Sequence, residues 1–344
     1  MIQIDGIIFS LQKMGGVSIC FEKLLANLNA DGLDYSIDLF PHGSRCFNEG
    51  LHSRAINFLK PKFGMINFER FCFAKLNEQA DVFHSSYYRI PSRNSQSCKV
   101  ITTVHDFTHE KYIPGIKSKL FSHQKKAAIL SSDTVICISE STKRDMFEII
   151  PESKGLDVQV VHNGVSNKYE YLNLERKDYV VFVGSRVGYK NFLPLVDALA
   201  LSERFSLCII GGGELNTTEI EYLNLKLPNK FTHHLFLDEA DLNLTYNQAH
   251  CLVYPSSYEG FGIPPIEAMK AGCPVVALSA SSLPEVCGDA AILLEIAKPE
   301  EIHSAIKELE VSVNRNKLME LGFVNSSRFS WEKNYQEIKS LYLR

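Results

Sequence analysis

Two doubly wound α/β domains are what this sequence predicts, and three observations carry the prediction. Short β-branched runs alternate with amphipathic stretches, the order that builds parallel sheets covered by helices. The alternation lapses after residue 162 and restarts near residue 179. The 344 residues also exceed the ~250–300 at which one hydrophobic core stops growing.

In chain order, GVSICFEKLLANLNADG, from residue 16, has the apolar spacing of a helix. CKVITTVHD, DTVICIS and DVQVVHNG, from residues 98, 133 and 157, read as strands. NGVSNKYEYLNLERKD, residues 163–178, is polar and aperiodic and predicts the link between domains. The pattern resumes with DYVVFVGS, NFLPLVDALALSE, FSLCIIGGGE, HHLFLDE, AHCLVYPS, IEAMKAG and CPVVALS, and SWEKNYQEIKSLYLR reads as a terminal helix. The expected division is 1–168, 169–327 and a helix over 328–344. Open parallel sheets bind ligands beyond the carboxyl ends of their strands, so a cleft between the two domains is the expected active site.

Composition is that of a globular enzyme, 45% hydrophobic and 22% charged. No window approaches the ~18 uncharged apolar residues that span a bilayer, and the start MIQIDGIIFS lacks the basic residues and cleavage site of a signal peptide. The expectation is a cytoplasmic protein. The nine cysteines show no C-x-x-C pair and no zinc-ligand spacing, which predicts reduced thiols. A net charge of −4 gives no reason to expect nucleic acid as a partner. Residues 1–166 nonetheless carry +2 and the remainder −6, and five lysines with two histidines crowd into residues 109–126. Such a run is a solvated helix face or a surface for anionic lipid or a phosphate-bearing acceptor.

Chemistry concentrates in SYEGFGIPPIEAMKAG, residues 257–272. Tyr258 to Ile263 reads as a loop after a strand, and Pro264-Pro265 as the first turn of a helix running to Lys270, where the missing N–H groups cost nothing. Glu259 then precedes a helix N-terminus and Glu267 lies in its first turns, beside free N–H groups that favour an anion. The residues alone leave Glu267 open as a dipole complement and Glu259 as a surface charge. Arg186 and Lys190 follow the strand DYVVFVGS, where they suit phosphate oxygens. Gly15 and Gly16 at one strand end, and Gly212 within GGGE at another, admit a ligand near the backbone or simply make turns. His105-Asp106 ends a strand and so points toward the expected cleft.

The spacing of Glu259 and Glu267, with seven residues between, resembles the E-x7-E signature of retaining GT-B glycosyltransferases of family 4 (group 1), among them bacterial O-antigen and capsule mannosyltransferases. GGV at 15–17, VHD at 104–106, ICISEST at 136–142, VVHNGV at 160–165, VGSRVGYKN at 183–191, IIGGGE at 209–214 and FSWEK at 329–333 follow in the family's order, so the likeness covers nearly the whole chain. The resemblance implies two Rossmann-like domains facing a central cleft, with the C-terminal helix crossing back to the N-terminal domain. It also implies sugar transfer from a nucleotide diphosphate donor, with GDP-mannose first among donors, to a glycan or polyprenyl-diphosphate-linked acceptor. No metal or other cofactor is implied, and the setting is the cytoplasmic face of the inner membrane, with peripheral contact.

By the same resemblance Glu259, His105, Lys190 and Arg186 carry catalysis. Gly16, Gly184, Arg186, Lys190, Gly212, Phe261, Gly262, Ile263 and Glu267 contact the donor, and Gly15, His105 and Asp106 lie on the acceptor side. Arg186 stands two residues after Gly184, whereas many relatives place their arginine one residue after the glycine. A UDP-glucose, galactose or N-acetylglucosamine transferase, a phosphorylase and a nucleotide-sugar epimerase share the expected fold. A silent sugar-nucleotide binder is disfavoured by the paired glutamates and cations, and a Rossmann oxidoreductase by the missing G-x-G-x-x-G.

Overall fold

The structure is a computed structural model that describes residues 1–12, 15–40, 56–92 and 98–344. Contacts divide the chain into two units, Met1–Asn163 with Trp331–Arg344, and Gly164–Ser330.

The N-terminal unit holds seven strands: β1 (Ile2–Asp5), β2 (Tyr35–Leu39), β3 (Ile56–Phe58), β4 (Val82–Ser85), β5 (Lys99–Val104), β6 (Thr134–Cys137) and β7 (Asp157–Val160). They lie in the order β3-β2-β1-β4-β5-β6-β7, every described pairing parallel. Strands buried on both faces in this way need continuous apolar runs. β5 and β6 supply them, and in β2 and β4 Asp38 and His84 are matched by partners instead, while the Ser36 and Ser85 hydroxyls have none. Asp38 accepts from Gln3 at 2.7 Å, and His84 joins Tyr342 at 2.6 Å and Thr103 at 2.8 Å.

The helix Gly16–Ala30 packs Phe21, Leu24, Leu25 and Leu28 into the core of this unit. The terminal helix Trp331–Tyr342 contributes Tyr335, Ile338, Leu341 and Tyr342 to the same core. Polar contacts fix its register: Tyr335 donates to Asp31 at 2.6 Å, and Lys99 donates to the Leu341 carbonyl at 2.9 Å. The last helix therefore belongs to the first unit, although its sequence follows the second.

The C-terminal unit holds β8 (Tyr179–Val183), β9 (Ser206–Ile210), β10 (Phe231–His234), β11 (Cys251–Tyr254), β12 (Val275–Leu278) and β13 (Ala291–Leu294). Their order is β10-β9-β8-β11-β12-β13, again parallel. Strand order reverses between β8 and β11, which parts the loops after their carboxyl ends and leaves a crevice for ligand. HHLFLDE overlaps β10 by only two residues, because the strand begins at Phe231. At the sheet edge its side chains are only partly buried, so no apolar run announces it.

None of the eight described cysteines is in a disulfide, and Cys46 lies outside the described residues. No described helix is long and apolar enough to cross a membrane.

Candidate active site

The loops after β8 and β11, the pair parted by the strand reversal, are laced together by four contacts. Ser257 N donates to the Tyr189 carbonyl at 2.8 Å, and Asn191 Nδ2 donates to the Pro255 carbonyl at 2.8 Å and to Ser257 Oγ at 2.7 Å. Asn191 takes a left-handed conformation, φ 51°, to end the 3-10 turn Gly188–Lys190 and open the helix Phe192–Ala200. The fourth contact is the ion pair Lys190–Glu259, both side chains largely withdrawn from solvent.

The Lys190 ammonium also lies 5.3 Å from the Tyr189 ring centre and 5.5 Å from that of Tyr254, a cation–π setting. Burial, with the Glu259 charge adding to it, holds the Tyr254 phenol well above its usual range, so it remains an O–H donor to Glu259. The loop after β12 completes the mounting. Glu259 N donates to Ser281 Oγ at 2.8 Å, and Ser282 Oγ donates to the carbonyls of Glu259 at 3.0 Å and Phe261 at 2.8 Å.

The helix predicted from Pro264 begins one residue earlier, at Ile263, and ends at Lys270. Gly262 caps it at φ 101°, and a Cβ there would stand 2.9 Å from Leu283 Cδ2, so both backbone and space demand glycine. Phe261 is turned into the core, edge-on to Phe329 with ring centres 5.5 Å apart, which leaves its backbone rather than its ring for any donor contact.

Glu267 lies in the second turn of that helix, among phenols rather than cations. Tyr246 donates to its Oε2 at 3.4 Å, and Tyr169 hydrogen-bonds the same carboxyl. Burial raises its pKa to about 7, the phenols only partly opposing the shift. The two glutamates of the signature thus sit in different electrostatic settings.

Arg186 is engaged within its own unit. Its Nε donates to Glu219 at 2.8 Å, Nη1 to the Gly211 carbonyl at 3.0 Å, and Nη2 to the carbonyls of Gly213 at 3.2 Å and Glu214 at 2.8 Å. Glu219 is the third residue of the helix Thr217–Lys226 and closes a capping box with Asn216. Burial works against its charge, but bonds from Arg186 and the Asn216 backbone hold its carboxyl below the usual range. Gly211, Gly212 and Gly213 all have φ near 77–79°, and a Cβ on Gly212 would stand 2.5 Å from the Gly184 carbonyl and 2.6 Å from Arg186 Nη1. The guanidinium is therefore the strut around which the glycine loop folds. Both sequence-predicted cations rest on a glutamate, Arg186 on Glu219 and Lys190 on Glu259.

In the N-terminal unit, His105 follows β5 and is buried, its backbone N–H donating to Tyr88 Oη at 3.4 Å. Burial lowers its pKa to about 4, with Lys125 pushing the same way and Asp106 opposing. The imidazole is neutral above that, and its Nε2 has no hydrogen-bond partner. It borders a cavity of about 20 Å³, room for about one water, shared with Cys20, Thr103 and Asn163. Asp106 caps the following turn through Thr108 N at 3.1 Å. Gly15 and Gly16 open the helix Gly16–Ala30, where the Gln12 side chain folds over Gly15 and accepts from Ser18 N at 3.2 Å. Among the described residues no three His, Cys, Asp or Glu side chains converge.

The residues that sequence reading missed are the supports: Tyr254, Ser257, Ser281 and Ser282 around Glu259, Tyr169 and Tyr246 around Glu267, and Glu219 beneath Arg186. Tyr254 and Ser257 lie within five residues of Glu259, whereas Ser281, Ser282, Tyr169, Tyr246 and Glu219 reach their partners from other strand–helix units, where no local signal exists.

Residues 14–168 match Glycosyltransferase Family 4, and residues 165–321 match Glycosyl transferases group 1. The O-antigen chain mannosyltransferase B of Escherichia coli is 24% identical over 326 residues, 82% of this chain and 80% of that protein. The O-antigen chain mannosyltransferase RfbU of Salmonella typhimurium is 28% identical over 237 residues, 66% of this chain and 64% of that protein. Among solved structures, a sucrose-phosphate synthase from Thermosynechococcus elongatus superposes with a TM-score of 0.78 at 20% identity, covering 99% of this chain and 98% of that one. With two family matches that together run from residue 14 to residue 321, and two parallel sheets of seven and six strands, the chain belongs to the GT-B glycosyltransferases of family 4, group 1.

Proposed function

We propose that the chain moves a hexose, mannose from GDP-mannose first among the candidates, onto a hydroxyl of a glycan or lipid-linked oligosaccharide in surface polysaccharide synthesis, with retention and an α-linkage. The curated relatives named as O-antigen mannosyltransferases support the donor and the setting. The observation that carries the reading is the buried Lys190–Glu259 pair at the strand reversal of the C-terminal unit, one loop from a helix N-terminus.

In this reading the C-terminal unit binds the nucleotide sugar and the N-terminal unit the acceptor. Breaking the bond between the anomeric carbon and the diphosphate oxygen leaves negative charge on the diphosphate and positive charge on the sugar. Lys190 and the positive end of the helix Ile263–Lys270 offset the first by preorganised charge. Glu259, released when the diphosphate takes up Lys190, orients the sugar and offsets the second. The acceptor oxygen attacks from the leaving-group face, and its proton passes to the departing phosphate oxygen. Lys190 supplies the charge that a metal ion otherwise would, so no metal is required.

Glu267 accepts hydrogen bonds from the ribose hydroxyls, and neutral His105 hydrogen-bonds the reacting sugar or acceptor through Nε2. Arg186 acts as a positioning residue that holds the glycine loop beside the nucleotide.

The test is a thermal-shift and hydrolysis screen across GDP-, UDP-, ADP- and dTDP-sugars, since donor at 100 times Kd stabilises by about 2.7 kcal/mol. GDP-mannose is expected to shift the melt and be consumed. A UDP-sugar preference replaces the donor assignment, and no response to any sugar nucleotide refutes the transferase. Lys190→Ala is expected to lower kcat by roughly 10²–10³; unchanged kinetics remove Lys190 from the mechanism.

A further inference from the structure

Among the described residues two lysines are buried: Lys190, in the site of the C-terminal unit, and Lys125, whose exposure is 0%. A lysine is almost never enclosed without a partner, because taking its ammonium out of water is costly. Lys125 lies on the buried side of the helix Ile116–Leu130, beside Phe121, Ala128 and Ile129, where an apolar residue would serve as packing. Its contacts account for the charge.

The ammonium donates to the Asp106 carbonyl at 2.9 Å and to Glu110 Oε2 at 2.9 Å. Both acceptors belong to the segment that leaves the carboxyl end of β5, Asp106 next to His105 and Glu110 in the short helix Thr108–Tyr112. The rings of Phe107, Phe121 and Tyr88 surround the cation, their centres 4.7, 5.1 and 5.4 Å from Nζ, and such π faces favour a cation over a neutral group.

The same helix reaches this turn by a second route. Gln124, the neighbour of Lys125, donates to the Tyr88 carbonyl at 3.2 Å. Tyr88 holds φ at 63°, a left-handed conformation that bulky residues avoid, and its Oη accepts the His105 N–H. Burial, with the Asp106 charge adding to it, keeps that phenol protonated far above its usual range. Three consecutive residues are thus held: His105 by its N–H, Asp106 by its carbonyl and Phe107 by its ring.

We propose that Lys125 is a positioning residue for sugar transfer, the mount that fixes the His105–Asp106 turn at the carboxyl end of β5 so that the imidazole meets the reacting sugar or acceptor. The inference rests on the transferase reading above. Lys125 also acts on the imidazole through its charge. Burial is the main reason His105 stays neutral, and the ammonium adds to it against Asp106. His84 and Cys20, which border the same cavity, are kept uncharged by burial, the first with its pKa lowered to about 3 and the second raised to about 12. A lysine that merely steadied the unit would be dispensable, since apolar groups of similar volume replace a buried ion pair with little or no loss of stability.

Lys125→Met/Glu110→Leu separates the two roles, because it removes both charges and leaves neither buried alone. The variant is expected to melt with the parent and to keep the donor KM, while kcat on the sugar nucleotide that the parent consumes falls roughly 10- to 100-fold, the effect of a displacement on the order of 1 Å at the reacting groups. An unchanged kcat overturns the proposal, and so does a fall in kcat matched by an equal rise in donor KM. If the apolar pair melts below the parent, Lys125→Arg, which retains the cation, is compared with Lys125→Gln. The arginine variant is expected to keep the turnover that the glutamine variant loses, and equal rates in the two overturn the proposal. If the parent consumes no sugar nucleotide, the transferase reading falls, and NMR titration of the His105 ring nitrogens judges the mount by itself. The imidazole pKa is expected to rise from about 4 toward the ordinary 6.5 once the ammonium is gone, and an unmoved titration overturns the proposal.

Discussion

Replacing Glu267 by glutamine puts the electrostatic account of the C-terminal unit to a quantitative test. Its folded pKa of about 7 stands above the ordinary 4.5, so between those values the folded chain holds a proton that the unfolded chain has released. Stability is thus full below about pH 4.5 and falls as pH rises toward 7. The shift corresponds to about 3 kcal/mol of stability lost across that window.

Glu267→Gln keeps the shape and a hydrogen-bonding amide but has no proton to lose. Urea melts of both proteins at several pH values from ~4 to ~8 are expected to coincide at the acid end. They should separate progressively, with the variant ahead by about 3 kcal/mol at ~8. Donor affinity should run the other way. A carboxylate that accepts from ribose hydroxyls does so best when ionised, so donor KM should fall as pH rises through 7 in the parent and stay level in the variant. A parent-minus-variant stability that does not change with pH refutes the burial argument. A donor KM whose pH dependence survives in the variant refutes the ribose role.

Two further outcomes follow from the site geometry. Glu219→Gln leaves Arg186 charged but loosens the strut under the glycine loop, so donor KM should rise about tenfold with kcat nearly unchanged; a matching loss in kcat places Arg186 at the reacting diphosphate after all. His105, with a pKa of about 4, stays neutral through the working range, so His105→Asn should lower kcat while leaving the pH profile between 5 and 9 unaltered. If the substitution removes a limb near 6–7, the imidazole titrates in the reaction and the neutral role is wrong.

What the sequence made legible follows from where each residue's partners lie. Parallel strands buried on both faces must be apolar throughout, so VITTV, TVIC, CLVY and VVAL announce themselves. β2 and β4 carry Asp38 and His84, whose matching partners arrive from Gln3 and from Tyr342 in the last helix, and no local pattern holds that information. The glycines were readable as punctuation, and Gly262 owes its place both to a positive φ and to Leu283. Lys190 and Glu259, 69 residues apart, meet because the strand order reverses between β8 and β11. A family pattern names both residues but not their contact. Arg186 shows the limit: a cation after a strand suggests phosphate, and only the fold reveals that Glu219, 33 residues on, holds it.

The free protein has already satisfied the groups assigned to the donor in the proposed reaction, and this decides how such binding would work. Lys190 rests on Glu259, and Glu267 rests on two phenols, so neither charge stands bare in a withdrawn site. A buried charge without a partner costs several kcal/mol, so the Lys190–Glu259 contact spares the unit that cost before any ligand arrives, whereas burial still disfavours the ionised Glu267. The donor therefore gains the difference between its own contacts and those it displaces, not the whole of its contacts. In the proposed reaction that difference favours the reacting state over mere binding, because the diphosphate carries most charge as the sugar departs and a Lys190 already transferred from Glu259 then gains most. The same pairing that steadies the empty site thus holds back part of its electrostatic advantage until the bond breaks.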